Sequence, residues 1–242
     1  MKSLSSGMKC VSILVIIVSG AFAGNAAAVK KEREYWPTQA WQSSPPEKQG
    51  MKADVLQDVV TAITEQWLPM HSILIVRNGY LVAEKYFDTY HEHSKHLVYS
   101  VTKSVVSALV GIAIEKGYLT GVDQPVLTVF PEHTIAHDLD RKRALTVEHL
   151  LTMQSGLEWR EMVTPMHQSS DWVQFVLDLP LVADPGTTFN YCSGNIHLLS
   201  TMIGKTADTD TLSFARTHLF EPLGISDIHW ELDPQGIPNG GW

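Results

Sequence analysis

Apolar residues recur with a helical period in the stretch "MKADVLQDVVTAITEQW", which begins at Met51. Four apolar side chains follow one another at a constant spacing: Val55, Val59, Ile63 and Trp67. Side chains at this spacing share one face of an α-helix, because the helix completes a turn about every 3.6 residues. The pattern therefore predicts an amphipathic helix, and Asp54 is a suitable N-cap residue for it.

The next stretch, "HSILIVRNGYLVAEKYF", has the composition of β-strands. Two runs rich in β-branched and aromatic residues flank Asn78-Gly79, and this dipeptide strongly favours a two-residue hairpin turn. A helix followed by an antiparallel hairpin, over residues 51–90, predicts the beginning of an α+β fold.

From residue 96 to residue 232 the pattern becomes mainly helical. Helices are predicted for residues 100–116, for "TVEHLLTM" capped by Thr146, for "SSDWVQFVLDL" opened by Ser169 or Ser170, for "NIHLLSTMI" and for "TLSFARTHLF". No strand pattern as strong as the hairpin follows it. The sequence therefore predicts a sheet region and then a mainly helical region.

The N-terminus differs from the rest of the chain and predicts export. Lys2 and Lys9 precede the apolar run "CVSILVIIVSGAFA" and small-residue cleavage sites, which is the pattern of a secretory signal peptide over residues 1–28. Residues 29–50 are charged and then rich in Pro, Ser and Gln, which predicts an arm or linker. We expect a periplasmic or secreted bacterial protein with its folded domain in residues 51–242 and no stable membrane anchor.

Composition narrows the range of partners. Of 242 residues, 44% are hydrophobic and 18% are charged, as expected of a globular protein with a sizeable core. The net charge of −8 argues against nucleic acid and anionic membranes, and favours a small-molecule or peptide-like substrate. Cys10 lies in the predicted signal peptide and leaves Cys192 without a partner for an internal disulfide. Nothing in the sequence indicates the oligomeric state.

A candidate catalytic pair stands at the head of the run "YSVTKSVVSALVGIAIEKG". Ser100 and Lys103 are one helical turn apart, so the lysine amine can reach the serine hydroxyl. A serine becomes a good nucleophile when an adjacent base takes its proton, and a lysine can do so only in its neutral form. The run is apolar on nearly every face, which predicts that protein encloses this helix and buries Lys103.

The spacing of this pair is not specific by itself. Serine is a favoured N-cap residue, and Ser-x-x-Lys arises by chance about once in a chain of this length. Ser6 and Lys9 have the same spacing inside the predicted signal peptide. An ordinary helix start is therefore an alternative for Ser100.

A second candidate lies in "DPGTTFNYCSGNIHLLS", where a Pro-Gly turn precedes Tyr191 and a helix follows. A tyrosine at a loop-to-helix junction can face a cleft and exchange protons beside a cation such as Lys103. The alternative is a tyrosine packed under the helix with its hydroxyl on a backbone carbonyl.

Four motifs together resemble, in order and approximate spacing, those of the penicillin-recognising serine hydrolases: "YSVTKSVVSALVGIAIEKGYL", "LTVEHLLTMQSGLEW", "DPGTTFNYCSGNIHLLS" and "LFEPLGISD". The resemblance runs from about residue 50 to the end. It is to the β-lactamase-related branch, which includes class C β-lactamases, D-alanyl-D-alanine carboxypeptidases, esterases and 6-aminohexanoate-oligomer hydrolases. It implies a β-lactamase/transpeptidase-like fold, with an antiparallel sheet flanked by helices plus a helical domain. It also implies hydrolysis of an ester, amide or β-lactam-like bond through a covalent acyl-enzyme.

The resemblance also implies a role for each candidate residue. Ser100 would be the acylated nucleophile, Lys103 its activating partner, and Tyr191 the general acid and base of a Tyr-x-Asn element. The main-chain N–H of Ser100 would be one donor to the acyl oxyanion. Ser193 stands where that element has Asn, so it would offer a substrate one hydroxyl in place of a two-sided carboxamide. No metal and no cofactor are implied.

One element of the family has no counterpart in this sequence. It is the Lys-Thr-Gly or His-x-Gly strand at the cleft edge, which supplies substrate contacts and the second oxyanion donor; "GKTAD" at residues 204–208 is instead predicted to be an interhelical turn. We therefore expect a chain truncated at its C-terminus, without the later sheet strands and the C-terminal helix. Its activity should be weak or absent, since losing one oxyanion donor typically lowers the rate by roughly 10²- to 10³-fold.

Two other functions stay open. A non-catalytic or weakly active protein could bind penicillins or cell-wall peptides without efficient turnover. More remotely, "HEHSKH" has the spacing of a zinc-hydrolase motif in three histidines, His91, His93 and His96. Lys95 stands where that motif has an Asp ligand, and its positive charge opposes a metal ion.

Two further residues have simpler interpretations. Trp159 could line the mouth of a cleft, but a loop tryptophan more often packs in the interior. Cys192 is predicted to be an inert buried thiol, because no basic residue adjoins it in the sequence.

Overall fold

The structure is a computed structural model that describes residues 12–17, 35–37, 39–66 and 68–241. The chain divides into two compact units, residues 1–97 and residues 98–242. The sheet belongs to the first unit, and the helices that carry the candidate site belong to the second. Trp67 of the predicted amphipathic helix lies outside the described residues.

The predicted hairpin is confirmed in the first unit. Strands β2 (Met70–Arg77) and β3 (Tyr80–Tyr86) pair antiparallel. Asn78 and Gly79 connect them and both have a positive φ, 54° and 90°, as the favoured two-residue hairpin turn requires. The buried apolar side chains of this hairpin include Ile73, Ile75 and Val82.

A further strand, β1 (Ser12–Ile17), pairs in parallel with β2 and gives the sheet order β1-β2-β3. The sequence pattern predicts a signal peptide for this segment, whereas the structure has it as a strand of the sheet. A run of β-branched apolar residues suits a strand as well as the apolar part of a signal segment. The rest of residues 1–28 lies outside the described residues, and export stays a prediction.

Part of the predicted linker is attached to the sheet. The Ser44 N–H donates to the Leu81 carbonyl at 3.0 Å, and the Leu81 N–H donates to the Gln42 carbonyl at 2.9 Å. Pro46–Gln49 then forms a 3₁₀ turn. Within residues 29–50, this part is therefore a bound segment rather than a free linker.

Helix α1 (Ala53–Glu65) confirms the helix prediction but neither its cap nor its buried face. Asp54 lies inside the first turn, where its carboxylate accepts from the Val55 N–H at 2.9 Å. Ile63 is buried, whereas Val55 and Val59 are 51% and 40% exposed. The regular spacing of apolar residues therefore predicted the position of the helix, but not which of these residues are buried in the folded chain.

The second unit is helical, as predicted. Its α-helices are α2 (Val101–Glu115), α3 (Leu139–Lys142), α4 (Val147–Leu151), α5 (Trp172–Asp178), α6 (Ser193–Thr206) and α7 (Thr211–Ala215). Between and after them lie 3₁₀ turns at Val126–Val129, Met166–Gln168 and Glu221–Leu223 and a π-helical turn at Arg216–Phe220. In the described ranges, no helix combines the length and the apolar character needed to cross a membrane.

Helix α6 is the enclosed helix of this unit, and α2 is not. Every residue of α6 from Ser193 to Ile203 is buried, and α6 contacts α2, α4, α5 and α7. Helix α2 buries one face, while small residues such as Ser104, Ser107 and Gly111 leave its other face exposed. The prediction that protein encloses α2 on all sides is therefore wrong. The run has few charged side chains, but the small residues on its outer face are not covered by other elements.

The predicted helix ends in this unit are partly confirmed. Thr146 caps α4, since its side chain accepts the backbone N–H three residues further on. Asp171, rather than Ser169 or Ser170, caps α5 with its carboxylate. The interhelical turn predicted for "GKTAD" is confirmed in part: residues 204–206 form the last turn of α6, and residues 207–208 lie in the turn between α6 and α7.

Candidate active site

Ser100 lies at the N-cap position of α2. The preceding residue, Tyr99, has a φ of 45°, in the left-handed region that a bulky residue rarely adopts. The Thr102 N–H donates to the Tyr99 carbonyl at 3.0 Å and closes this sharp turn, which leaves Ser100 exposed at the start of the helix. Such strained backbone is common beside reactive side chains.

Lys103 is buried and reaches Ser100, as predicted. Its side chain projects from the buried face of α2, and the residue is 8% exposed. Its Nζ donates to Ser100 Oγ at 2.9 Å and also donates to the main-chain carbonyl of Gly241. Two neutral oxygen atoms from distant parts of the chain therefore fix the direction of the amine.

Tyr191 completes a cluster of three side chains. Its hydroxyl donates to Ser100 Oγ at 2.8 Å, and Lys103 Nζ lies 4.9 Å from the centre of its ring. Tyr191 is 38% exposed, so it is not the tyrosine packed under a helix that the sequence left as an alternative. In this cluster the Ser100 hydroxyl contacts two groups that can exchange protons, the Lys103 amine and the Tyr191 hydroxyl.

The Ser193 hydroxyl is hydrogen-bonded to Glu161 rather than to Ser100, Lys103 or Tyr191. The residue is fully buried, and its hydroxyl donates to Glu161 Oε1 at 2.7 Å. The Ser193 N–H donates to Glu161 Oε2 at 3.2 Å, and the Trp159 indole N–H donates to the same oxygen at 2.6 Å. The predicted substrate contact of Ser193 stays a prediction, because here its hydroxyl has an internal partner.

The segment of residues 230–241 lies along α6 and supplies the Gly241 carbonyl. Ser200 Oγ donates to the Pro238 carbonyl at 2.7 Å, and His197 Nε2 lies 3.1 Å from Asp233 Oδ2 with both side chains fully buried. The Gly241 N–H donates to Asn239 Oδ1 at 2.9 Å. These contacts hold the carbonyl that receives the Lys103 amine.

The buried pair in this segment affects ionisation. Burial by itself would raise the pKa of the Asp233 carboxyl, but hydrogen bonds from His197 and from the Ile237 N–H outweigh burial. The pKa of Asp233 is therefore lowered from its ordinary value. The carboxylate remains charged to a lower pH than an aspartate in the unfolded chain.

The two simpler interpretations agree with the structure. Cys192 is fully buried, and burial raises the pKa of its thiol to about 12. It therefore stays protonated at neutral pH and does not compete with Ser100 as a nucleophile. Trp159 is 5% exposed and packs in the core.

The three histidines of the zinc alternative are not gathered around a common point. The ring centres of His91 and His93 are 6.2 Å apart, and His96 Nδ1 lies 3.0 Å from Nδ1 of His71. Within the described ranges, no group of three or more His, Cys, Asp or Glu side chains is arranged to hold a metal ion. The zinc alternative therefore has no donor set among these residues.

Sequence reasoning missed Glu161 and Gly241. Glu161 is 32 residues from Ser193, and Gly241 is 138 residues from Lys103, so no local pattern connects them. Cys192 at the N-cap position of α6 offered one indirect signal, because cysteine caps a helix poorly and another group must then serve its first N–H groups.

A serine at the start of a helix, in contact with a buried lysine and with a tyrosine from a later loop, is the constellation of the penicillin-recognising class of α+β proteins. Comparison with known proteins agrees with this class: the beta-lactamase family model matches residues 47–242, and the chain belongs to the beta-lactamase family, a family of hydrolases. The expected β-lactamase/transpeptidase-like fold is confirmed.

Individual relatives are distant. Beta-lactamase-like protein 2 of Dictyostelium discoideum is 24% identical over 160 residues, which make up 59% of this chain and 29% of that protein. A protein of Bacteroides dorei DSM 17855, provisionally described as a beta-lactamase, has a crystal structure that matches this one with a TM-score of 0.63 and 20% sequence identity. The match covers 78% of this chain and 57% of that protein's chain. EstCE1, a hydrolase with promiscuous acyltransferase activity, is 21% identical with a TM-score of 0.53 over 69% of this chain and 50% of its own. The chain thus spans less than a third of the first relative and about half of the two structures, whose likeness shows the fold.

Proposed function

We propose that this protein is a serine hydrolase that forms a covalent acyl-enzyme at Ser100 from an ester, amide or β-lactam-like substrate. The observation that carries the proposal is the contact of Ser100 Oγ with Lys103 Nζ at 2.9 Å and with the Tyr191 hydroxyl at 2.8 Å. The plain helix-cap alternative is disfavoured, because the Ser100 side chain makes no cap hydrogen bond to α2.

Acylation transfers one proton and exchanges one bond. Ser100 Oγ attacks the substrate carbonyl carbon, and its proton passes to the neutral amine of Lys103, directly or through the Tyr191 hydroxyl. The bond to the leaving group then breaks, the leaving group takes the proton, and the acyl group remains on Ser100. The main-chain N–H of Ser100, at the start of α2, would donate to the oxyanion.

Deacylation reverses the roles with water as the nucleophile. Water attacks the acyl carbonyl and gives its proton to the same base, and the proton then returns to Ser100 Oγ as the acid leaves. In both steps the cluster of Ser100, Lys103 and Tyr191 holds the proton in transit: it passes to the leaving group in acylation and is replaced from water in deacylation. This chemistry uses no metal ion or cofactor.

A second candidate is acylation by a penicillin or a cell-wall peptide without efficient release. The geometry of Ser193 favours this second candidate. Its hydroxyl donates to Glu161, so one hydrogen bond fewer is free to position a substrate for hydrolysis. Both candidates require Ser100 to be acylated. They differ in whether the acyl-enzyme is hydrolysed.

Reaction of the purified chain with an activated p-nitrophenyl ester and with a fluorescent penicillin tests both candidates. We expect one label per chain on the wild type and on Ser104→Ala, whose serine is exposed on α2, and none on Ser100→Ala. Continued release of p-nitrophenol would support hydrolysis, whereas a single stoichiometric burst would support binding without turnover. Equal labelling of Ser100→Ala would refute both.

A further inference from the structure

We propose that Glu161 is a positioning residue that holds Tyr191 against Ser100 by acting as the N-terminal cap of α6 from a distant part of the chain. The proposal rests on the proposed function, since it concerns the delivery of one of the three groups in the site. Nothing in the sequence pattern assigned a role to this glutamate.

The start of α6 lacks a cap of its own. Cys192 stands at the N-cap position and makes no side-chain hydrogen bond to the helix. Glu161 takes over this task, because its carboxylate accepts the Ser193 N–H at 3.2 Å and the Ser193 hydroxyl at 2.7 Å. A carboxylate at this end of a helix also complements the positive end of the helix dipole.

Tyr191 is attached to the same segment on its other side. The Asn190 side-chain amide donates to the Trp159 carbonyl at 3.0 Å, and the Asn190 N–H donates to the Met153 carbonyl at 2.8 Å. Tyr191 therefore lies between two anchors, Asn190 before it and Ser193 after it. With both ends fixed, the hydroxyl of this partly exposed side chain is directed onto Ser100 Oγ.

The anchor at Glu161 needs a carboxylate, which can accept on both oxygens, rather than an amide. Three donors converge on it: the Ser193 N–H, the Ser193 hydroxyl and the Trp159 indole N–H, which donates at 2.6 Å. A carboxylate accepts on both oxygens, whereas a glutamine accepts on one and presents N–H groups at the other. Glu161→Gln therefore keeps the size of the side chain but sets donor against donor at the start of α6.

The test compares Glu161→Gln with Glu158→Gln, which makes the same chemical change at an exposed position of the same segment. The readout is the rate at which a fluorophosphonate labels Ser100, measured over a range of reagent concentrations. For Glu161→Gln we expect the maximal labelling rate to fall by about tenfold or more, but by no more than the roughly 10²- to 10⁴-fold that a general acid–base group contributes. The concentration giving half-maximal rate should be unchanged, and Glu158→Gln should match the wild type.

A second background separates positioning from general damage. If Glu161 acts through Tyr191, Glu161→Gln should cause no further loss once Tyr191→Phe has removed the hydroxyl. An equal loss of labelling rate in the wild-type and Tyr191→Phe backgrounds would overturn the proposal. It would also be overturned if Glu161→Gln slowed the reaction of cationic esters and accelerated that of anionic esters, or the reverse, because Glu161 would then act on the charge of the substrate.

Two controls keep the result interpretable. Ser193→Ala removes one of the three hydrogen bonds and leaves the main-chain donor, so it should give a smaller loss even if Glu161→Gln fails to fold. A Ser100-dependent label that neither variant slows would overturn only the role of Glu161. Labelling of Ser100→Ala would remove the proposed function itself and this inference with it.

Discussion

At the scale of single residues, the site depends on the direction of one amine. Lys103 carries its amine at the end of a long flexible stem, and such a side chain has many conformations unless its end is held. Ser100 Oγ and the Gly241 carbonyl accept from Nζ at the same time, and the Tyr191 ring covers it. These contacts direct the amine at Ser100 Oγ.

Replacing Lys103 by Met tests this assignment. Methionine fills a similar buried volume but has no amine, so we expect the acylation rate of Ser100 to fall by roughly 10²- to 10⁴-fold while the chain remains folded. Lys116→Met, at the exposed C-terminal end of α2, should leave the rate unchanged. Labelling kinetics and circular dichroism measure the two properties. A Lys103→Met protein that is acylated at the wild-type rate would exclude this lysine as the activating group.

At the scale of elements, the glycine-rich end of the described chain packs directly on the backbone of α6. A Cβ atom added at Gly240 would lie 2.2 Å from the Ile196 carbonyl oxygen, closer than any side chain tolerates. The close approach lets residues 230–241 bring the Gly241 carbonyl to Lys103. Glycine is required here by the contact between two backbones, not by an unusual φ.

Two glycine-to-alanine substitutions should therefore have opposite effects on stability. Gly240→Ala should lower the free energy of unfolding by about 1–3 kcal/mol through overpacking. Gly111→Ala should raise it by about 0.5–1 kcal/mol, because this glycine lies inside α2 and a Cβ there meets nothing within 4 Å. Urea denaturation of the two variants and the wild type measures both changes. Equal stability of the two variants would contradict the packing described here.

At the scale of the whole molecule, acid should loosen the helical unit. Four carboxyls in this unit have a pKa lowered from the ordinary value: Glu132, Asp138, Asp210 and Asp233. Such a group binds fewer protons in the folded than in the unfolded chain, so its contribution is fully present above its ordinary pKa of about 4. The contribution disappears as the pH falls through the lower, folded-state pKa. Acid therefore removes stabilisation at several places in one unit.

Asp233→Asn should show how much the buried pair of His197 and Asp233 contributes to the stability of the folded chain. At pH 6 the variant should unfold at a lower urea concentration than the wild type, because His197 loses the carboxylate it contacts at 3.1 Å. As the pH falls below about 4, the wild type loses the same contribution and the two urea midpoints should converge. Midpoints measured between pH 6 and pH 2.5 test this. A gap that stays constant over that range would show that Asp233 does not titrate in this way.

Features that depend on neighbours in the chain could be predicted from the amino-acid sequence. The Asn78-Gly79 turn, the position of α2 and the one-turn spacing of Ser100 and Lys103 follow from local backbone geometry, and four ordered motifs were enough to indicate the family. Tyr191 was a candidate because a Pro-Gly turn precedes it and a helix follows it, and the resemblance then implied its role. What the sequence could not determine was which faces are buried, since that depends on the elements packed against them: α6 is enclosed, while α2 is open on one side.

Which groups complete the site depends on how distant segments pack together. It directed the Ser193 hydroxyl to Glu161 instead of an open cleft, brought the Gly241 carbonyl to Lys103, and joined His197 to Asp233. Each contact joins residues more than 30 positions apart, and the hydrogen bonds that form it exist only after the segments have packed. A hydrogen bond between distant segments produces no periodic pattern in the sequence of either segment. The contact of Ser100 with Lys103 could therefore be predicted from the sequence, but the distant groups that position these side chains could not.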